Sequence, residues 1–259
     1  MSSYQKYFVE NELYINNRKF KYFLSPLLLK NNFKHGFFTK TSSEVNLSLL
    51  TNCQNQNQNF ILKQIHSNKI IFCSNALLEN RHEADGIFCD RSKRNLWIYT
   101  ADCMPILFAD KTKRFVAAIH CGRKGLENKI IKNTIEFFAN FGTTKEDLLV
   151  AIGPSISKRN YLIDKKTFLN FYKKNYLEEP NYSINLRNSY YSNNFSKLKN
   201  QSLIPLDLKD IAHTQLLNEN IPDLNIDIST LCTYESKNDF YSWRRSKTAS
   251  RQWSFISNM

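Results

Sequence analysis

The sequence predicts an α+β fold in a single domain. Short runs of apolar, mostly β-branched or aromatic residues have the length of strands, and segments with helical spacing lie irregularly among them. That irregular order is typical of α+β proteins, whereas a doubly wound parallel sheet requires strands and helices in regular alternation. The 259 residues contain no internal repeat or low-complexity tract, so we expect residues 1–259 to form one domain around one core.

Eight segments are predicted to be strands, because each has a short apolar centre between polar or turn-forming residues. They are Ile70–Cys73, Gly86–Phe88, Leu96–Tyr99, Pro105–Phe108, Phe115–His120, Leu148–Ile152, Ile226–Ile228 and Trp253–Ile256. Apolar residues at helical spacing predict three helices, Leu126–Phe141, Lys165–Lys174 and Leu208–Leu217. Gly142 follows the first as a predicted C-cap, and Asp207 precedes the third as a predicted N-cap.

The segment from Tyr176 to Ile204 is predicted to be a long irregular loop, since it is rich in Asn, Ser and Tyr. Two roles are open for it: a lid over a functional site, or a solvated excursion of the surface. No catalytic residue is predicted within it.

The chain is strongly basic, with 36 Lys and Arg against 23 Asp and Glu and a formal net charge of +13. This charge attracts anions, which include both nucleic acid and small anionic metabolites. The basic residues are spread along the whole chain and accompany no nucleic-acid-binding motif, so we expect a solvated basic surface and no nucleic-acid partner.

Targeting signals are not apparent in the sequence. The first twenty residues include scattered charges and lack the continuous apolar centre of a signal peptide, and no segment approaches the ~20 apolar residues of a membrane-spanning helix. We therefore expect a cytoplasmic monomer with no membrane partner. The six cysteines form no Cys-x-x-Cys pair, and in a reducing compartment we expect no disulfide bond. Four of them are predicted to be small buried hydrophobic residues: Cys53, Cys73, Cys89 and Cys232. Cys121 is harder to interpret, because it adjoins a histidine.

Three side chains that can bind a metal lie at the ends of strand-like segments. Cys103 closes Thr100-Ala101-Asp102-Cys103, His120 closes the run from Phe115, and His66 follows Gln64-Ile65. One thiolate and two imidazoles form a donor set that holds zinc, and three protein ligands leave one position open for water or substrate. The spacing matches no local zinc-finger pattern, so taken alone it favours ordinary buried cysteine and histidine side chains over a metal site.

Seven motifs in order strengthen the metal interpretation. They are Gln64-Ile65-His66, Ala84-Asp85-Gly86, Thr100-Ala101-Asp102-Cys103-Met104-Pro105, Ala117-Ala118-Ile119-His120-Cys121-Gly122, Ile152-Gly153-Pro154-Ser155-Ile156, Cys232-Thr233 and Phe240-Tyr241-Ser242-Trp243-Arg244-Arg245. Together they resemble the YfiH/laccase-domain family, over roughly residues 35–255. The resemblance implies a layered mixed β-core flanked by helices, and zinc bound by His66, Cys103 and His120. It also implies a purine nucleoside phosphorylase for adenosine and inosine, with methylthioadenosine as a further candidate, that deaminates adenosine; older naming calls such proteins polyphenol oxidases or laccases.

The chain departs from the family pattern at two places. The family usually has His-Ala-Gly-Trp-Arg-Gly where this chain has His120-Cys121-Gly122-Arg123-Lys124-Gly125. Lys124 keeps the positive charge of the arginine but lacks its planar fork for phosphate. His35-Gly36-Phe37-Phe38-Thr39 fits the family opening, but Lys40-Thr41-Ser42-Ser43-Glu44 replaces the Gly-rich loop that usually follows.

Phosphorolysis requires cations for phosphate and groups that move protons. Lys124 is predicted to bind phosphate because it is close to His120 in sequence, and Arg244 and Arg245 because of the motif resemblance. The predicted catalytic carboxylates are Asp85 and Asp102, which lie in two of the motifs; Asp102 has the alternative role of orienting an imidazole. Three further histidines are expected to be ordinary side chains: His35, His82 and His213.

Alternative functions remain open at this point. A laccase uses several copper ions held by many histidines, and the five histidines of this chain make copper less suitable than zinc. A cysteine hydrolase acting on cell-wall precursors would use Cys103 as a nucleophile activated by a neighbouring histidine. A non-enzymatic basic binding protein is the remaining alternative.

Overall fold

Two six-stranded sheets and a layer of helices form the architecture. The computed structural model describes residues 7–51, 58–75, 81–177 and 190–258. The first sheet has the strand order β1 (Val9–Ile15), β2 (Arg18–Leu24), β3 (Lys34–Phe38), β14 (Gln252–Asn258), β7 (Arg94–Thr100), β4 (Gln58–Ile61). The second has the order β13 (Ile226–Ile228), β10 (Leu148–Ile152), β8 (Met104–Asp110), β9 (Val116–Cys121), β6 (Gly86–Cys89), β5 (Ile70–Phe72). A small antiparallel pair joins β11 (Leu162–Asp164) to β12 (Leu203–Pro205).

Most neighbouring strands are antiparallel, and three pairs are parallel: β4 with β7, β5 with β6, and β10 with β13. The side chains of β8 show how the layers stack. Leu107 and Ala109 contact the core between the two sheets, while Ile106 and Phe108 contact the core beneath the helices. The second sheet is therefore the middle layer, buried on both faces, which explains why its strands are continuously apolar.

The helices are short, and the longest have 11 residues. They are α1 (Pro26–Lys30), α2 (Leu47–Leu50), α3 (Arg123–Glu127), α4 (Ile130–Asn140), α5 (Lys165–Tyr172), α6 (Tyr190–Asn193), α7 (Phe195–Leu198), α8 (Leu208–Asn218) and α9 (Trp243–Ser246). Single turns of 3-10 helix cover Lys40–Ser42, Cys73–Asn75, Lys158–Asn160 and Asp223–Asn225, and a π-turn covers Lys173–Leu177. The layer on the second sheet is built mainly by α4, α5 and α8, while α2 covers aromatic side chains on the outer face of the first sheet.

The α+β prediction is confirmed, and all eight predicted strands lie within observed strands or overlap them closely. The prediction of one helix from Leu126 to Phe141 is wrong. Two helices, α3 and α4, occupy this region, because the chain leaves the helical conformation at Asn128 and Lys129. The φ angle of Lys129 is +63°. Asp207 caps α8 as predicted, with its carboxylate 3.2 Å from the Asp210 N–H.

A disulfide bond joins Cys73 and Cys89, contrary to the expectation of free thiols. The parallel pairing of β5 and β6 explains it, because Phe72 lies opposite Phe88 and the next residue of each strand is a cysteine. The two Cα atoms are 5.2 Å apart. The remaining described cysteines are free: Cys103, Cys121 and Cys232. Cys53 lies outside the described residues.

The predicted loop from Tyr176 to Ile204 is partly wrong. Residues 178–189 lie outside the description, but the part that follows them forms α6, α7 and the start of β12. Tyr176 and Tyr191 are fully buried in the helical core, and the Tyr191 hydroxyl donates a hydrogen bond to the Pro205 carbonyl at 3.1 Å. The described part of this segment is therefore neither a solvated excursion nor a lid. Across the described ranges, every helix is too short or too polar to cross a membrane.

Candidate metal centre

Three side chains from distant parts of the sequence converge at one end of the second sheet: His66, Cys103 and His120. His120 lies near the end of β9, Cys103 directly precedes β8, and His66 lies in the loop between β4 and β5. A nitrogen of each imidazole and the Cys103 Sγ all lie within 4.8 Å of one another. These atoms are within reach of one ion, and a thiolate with two imidazoles is a donor set that proteins use for three-ligand zinc sites.

Strand pairing explains why Cys103 and His120 meet. β8 and β9 are antiparallel with Met104 opposite Cys121, so Cys103 lies beside Gly122. A Cβ atom added at Gly122 would lie 2.4 Å from the Cys103 Sγ, which is too close for any side chain. Glycine directly after this strand therefore leaves the space that the sulfur occupies.

Asp85 holds the two histidines in place. Its fully buried carboxylate accepts hydrogen bonds from the backbone N–H groups of Ile65, His66 and Ser67, at 3.2, 3.0 and 2.6 Å. It also accepts from the Ser67 hydroxyl at 2.8 Å and pairs with the His120 Nδ1 at 2.8 Å. With a proton on Nδ1, a neutral His120 has its free lone pair on Nε2, the nitrogen suited to a metal.

The charges of this cluster support one another. Burial acts to raise the pKa of Asp85, but the hydrogen bonds from His120 and Ser67 outweigh it and lower the pKa to about 2. Burial likewise opposes ionisation of Cys103, yet His120 and His66 lower the pKa of its thiol to about 6. The site therefore favours the thiolate, which is the form of cysteine that binds metals.

The carboxylate that pairs with an imidazole is that of Asp85, while Asp102 contacts other motifs. The Asp102 carboxylate accepts hydrogen bonds from the Thr233 hydroxyl at 2.6 Å and from the Arg244 N–H at 2.8 Å. Its own carbonyl accepts from the Ile156 N–H at 3.1 Å, and the Ala101–Asp102 peptide bond is cis. Asp102 thus connects three of the sequence motifs at the edge of the site.

A cavity of about 360 Å³ opens over His66 and Cys103. Its apolar wall is formed by Ile156, Tyr161, Leu208 and Trp243. Trp243, at the start of α9, is 46% exposed, and the Lys247 ammonium lies 3.7 Å from the centroid of its ring. Large aromatic faces beside a metal group are suited to a flat heterocycle.

The cavity has three cationic side chains, Arg123, Arg244 and Arg251. Of the predicted phosphate ligands, only Arg244 is among them. Lys124 is exposed to solvent and is absent from the lining. Arg123 was not among the predicted residues, although its position directly after Gly122 was a usable signal.

Arg245, the third predicted phosphate ligand, is hydrogen bonded to the backbone and is not among the residues that line the cavity. Its guanidinium donates hydrogen bonds to three backbone carbonyls, those of Thr233 at 2.9 Å, Tyr234 at 2.6 Å and Phe240 at 2.7 Å. These bonds join the two segments that carry the last two motifs. Arg245 thereby supports the cavity from behind without lining it.

The other histidines lie away from the metal group. His35 is buried in β3, His82 is exposed, and His213 pairs with Asp223 at 2.7 Å in a separate cavity. Cys121 is fully buried, and burial raises the pKa of its thiol well above the usual value. Among the described residues, only one cluster of His, Cys, Asp or Glu has the spacing of a metal site.

The fold and the site define an α+β protein of two packed sheets, with a group of two histidines and one cysteine that has the spacing of a metal site beside an open cavity. Residues 40–258 match the family described as multi-copper polyphenol oxidoreductase laccase. The chain belongs to this family, as the motif resemblance predicted. The family description names copper, whereas the donor set in this chain is one thiolate and two imidazoles.

Similar proteins of known name are purine nucleoside phosphorylases. The one from Synechocystis sp. is 29% identical over 243 residues, which cover 86% of this chain and 88% of the relative. The one from Borreliella burgdorferi is 32% identical over 220 residues, covering 80% and 85% of the two chains.

Solved structures share the fold. The hypothetical protein YfiH from Bacillus licheniformis superposes with a TM-score of 0.75 at 20% identity, covering 92% of this chain and 96% of that one. YlmD from Geobacillus stearothermophilus has a TM-score of 0.76 at 20% identity, with 96% and 99% coverage. At this level of identity the likeness demonstrates a common fold.

Proposed function

We propose that this protein is a zinc-dependent purine nucleoside phosphorylase that acts on adenosine and inosine and also deaminates adenosine. The observation that carries the proposal is the group of His66, Cys103 and His120, of which His66 and Cys103 line a cavity with aromatic and arginine side chains. The names of the relatives support the phosphorylase activity.

The three ligands fit zinc by their chemistry and separation. Zinc is four-coordinate in such sites, so three protein ligands leave one position toward the cavity. When bound, zinc supplies Lewis-acid polarisation of an oxygen atom or lowers the pKa of a water molecule. Asp85 acts as a positioning residue, since it fixes the proton of His120 on Nδ1 and holds the backbone of the His66 loop.

The lining of the cavity is suited to bind a purine nucleoside and a phosphate side by side. Tyr161 and Trp243 offer faces for the purine ring, while Arg244 brings a cation to the same space. In phosphorolysis a phosphate oxygen bonds to the anomeric carbon while the glycosidic bond from that carbon to the purine nitrogen breaks, and the base leaves after taking up a proton. The ribose acquires positive charge in between, so phosphate must lie close to the sugar. Asp102 faces the cavity as a hydrogen-bond acceptor for the substrate, and in deamination it is the proposed proton acceptor for water.

The proposal is tested with protein purified without added metal. We expect about one zinc per chain by elemental analysis, since three ligands bind one ion. We expect hypoxanthine from inosine only when phosphate is present, and ammonia from adenosine in the absence of phosphate. Chelation should abolish both activities and added zinc should restore them. If zinc-loaded protein releases neither base nor ammonia from these nucleosides, the proposal fails.

A second candidate is a cysteine hydrolase, which one arrangement favours. Cys103, His120 and Asp85 form a chain of contacts in the order thiol, imidazole, carboxylate. That order resembles the way cysteine hydrolases activate their nucleophile. The two candidates differ in what inhibits them: the hydrolase would keep its activity in a chelator and lose it to iodoacetamide, whereas the zinc enzyme would lose its activity to the chelator and regain it with zinc.

A further inference from the structure

Arg123 reaches the cavity from the first turn of α3, next to the metal group. Its side chain is 24% exposed, and its guanidinium pairs with Glu127, which is itself 10% exposed. Burial raises the pKa of the Tyr161 hydroxyl, and the same guanidinium lies close enough to oppose that rise. The ion pair with Glu127 restricts the planar group, so less side-chain entropy remains to be lost when a ligand binds.

Tyr161 lies between two arginines. The Arg244 guanidinium lies 5.0 Å from the centroid of the Tyr161 ring, and its Nη1 donates a hydrogen bond to the Leu162 carbonyl at 3.1 Å. The charge of Arg123 acts on the hydroxyl of the same ring. Both guanidiniums line the cavity that contains His66 and Cys103. The Tyr161 ring thus lies between the guanidinium groups of Arg123 and Arg244 at one wall of the cavity.

The charge of the lining favours an anion. Three arginines face the cavity against the single carboxylate of Asp102, which already accepts two hydrogen bonds. Arg251 donates hydrogen bonds to the Thr248 and Ser250 carbonyls of its own loop at 2.9 and 2.8 Å. Arg123 and Arg244, which lie beside Tyr161, are therefore better placed to bind one anion together. A planar guanidinium binds two oxygens of phosphate through parallel hydrogen bonds, which an ammonium does not.

We propose that Arg123 and Arg244, together with the Tyr161 hydroxyl, form the phosphate subsite of this enzyme. The inference rests on the proposed function in taking phosphate as the second substrate. Arg123 performs the task that sequence reasoning gave to Lys124, whose ammonium is exposed and absent from the cavity lining. Arg123 is a binding residue for phosphate, and Glu127 is its positioning residue.

The test compares Arg123→Gln with Arg91→Gln, a matched removal of an arginine that is 65% exposed in the turn between β6 and β7. With saturating inosine, Arg123→Gln should raise the KM for phosphate by about ten- to a hundredfold, the effect expected for a charged hydrogen-bonded pair. The KM for inosine should change by less than about twofold, because the purine wall is intact. Arg91→Gln should behave as the wild type, and Arg123→Lys should be intermediate.

A second variant separates an effect on phosphate binding from an effect on folding. It is needed because Arg123→Gln leaves the Glu127 carboxylate without its ion-pair partner. Arg123→Gln/Glu127→Gln removes both charges and should fold while showing the same rise in the KM for phosphate. Titration calorimetry with inorganic phosphate provides a readout that does not depend on turnover, and it should show weaker binding to both Arg123 variants. A KM and an affinity for phosphate within about twofold of the wild type would overturn the inference.

The outcomes distinguish the subsite from the proposed function. If the wild type binds phosphate through Arg123 but releases no base from nucleosides, the subsite stands and the phosphorylase proposal fails. If phosphate-dependent base release is present and indifferent to Arg123, the phosphorylase stands and the subsite is wrong.

Discussion

Each of the two large sheets contains one buried histidine, and the two histidines have opposite electrostatic roles. His35 in β3 of the first sheet is 3% exposed, and His120 in β9 of the second is 5% exposed. The His35 Nε2 accepts a hydrogen bond from the Ser25 N–H at 2.8 Å, and its Nδ1 donates to the Phe33 carbonyl at 2.8 Å. Both of its ring nitrogens are occupied by backbone, and burial lowers its pKa to about 4.

His120 has only one nitrogen committed to the fold, the Nδ1 that pairs with Asp85. Burial acts to lower its pKa, but the thiolate of Cys103 and the Asp85 carboxylate outweigh burial and raise it to about 9. The comparison teaches that burial of a histidine in a strand does not itself indicate a site. The partners of the ring determine its role. Backbone on both sides makes a neutral structural ring, whereas a carboxylate behind and a thiolate in front favour a protonated ring whose second proton a bound metal ion would replace.

The variant with the largest expected effect on the contrast between His35 and His120 is Cys103→Ser, which removes the thiolate beside His120. A hydroxyl is a poor zinc ligand, so two imidazoles alone should not retain the ion. We expect protein purified without added metal to contain no zinc, and phosphorolysis to fall to background. Cys121→Ala is the matched control, because Cys121 is buried on the opposite face of β9 and should keep its zinc. A zinc-loaded, active Cys103→Ser protein would contradict the assignment of the ligands.

The pH dependence of stability tests the other histidine. Because the pKa of His35 lies near 4 in the folded protein and near 6.5 when unfolded, the unfolded chain takes up the proton first as the pH falls. The neutral His35 contributes fully to the free energy of unfolding above pH 6.5. This contribution, about 3 kcal/mol, is lost as the pH falls from 6.5 to 4. His35→Gln does not titrate, so its free energy of unfolding in urea should fall less steeply over that range. Parallel curves for the two proteins would refute a neutral buried His35.

Asp85→Asn probes the support behind His120. The variant keeps the shape of the side chain but loses the charge that holds Nδ1–H and three backbone N–H groups. Loss of such an outer partner typically weakens metal binding by about 10- to 100-fold, which we expect in competition with a chelator. Glu83→Gln, two residues away and 56% exposed, is the control. Equal zinc affinity in Asp85→Asn and Glu83→Gln would show that the ligands hold their geometry unaided.

The smallest expected effect belongs to Lys124→Gln. An exposed ammonium acts on an anion in the cavity only through a screened field, so the KM for phosphate should rise by about twofold. Steady-state kinetics at low and physiological salt measure it. A rise as large as that of Arg123→Gln would return the phosphate contact to Lys124.

The sequence predicted the middle layer well because its strands are buried on both faces and read as plain apolar runs. β1 and β2 were missed, since their exposed faces carry charged residues such as Glu10, Lys19 and Lys21 that interrupt the apolar pattern. The disulfide was missed because it depends on the parallel pairing of β5 with β6, a long-range contact without a local signal.

The candidate site was also predicted only in part from the sequence. The positions of Cys103 and His120 at the ends of adjacent strands were readable from the sequence, and so was the Asp85 motif. The function of Asp85 was not, since its five hydrogen bonds come from the His66 loop and from β9 and are visible only in three dimensions. Arg123 and Lys124 are neighbours in sequence, and only the start of α3 determines that one faces the cavity and the other faces solvent.

The carboxylate of Asp85 has a consequence for how the proposed site would take up an ion. The loop of His66 and the ring of His120 are tied to one buried anchor by hydrogen bonds within the polypeptide itself. Folding alone therefore positions both imidazoles, and a metal ion would meet a site that is already in place. Metal uptake should be a single rapid step, with amide exchange around residues 65–67 nearly the same before and after loading.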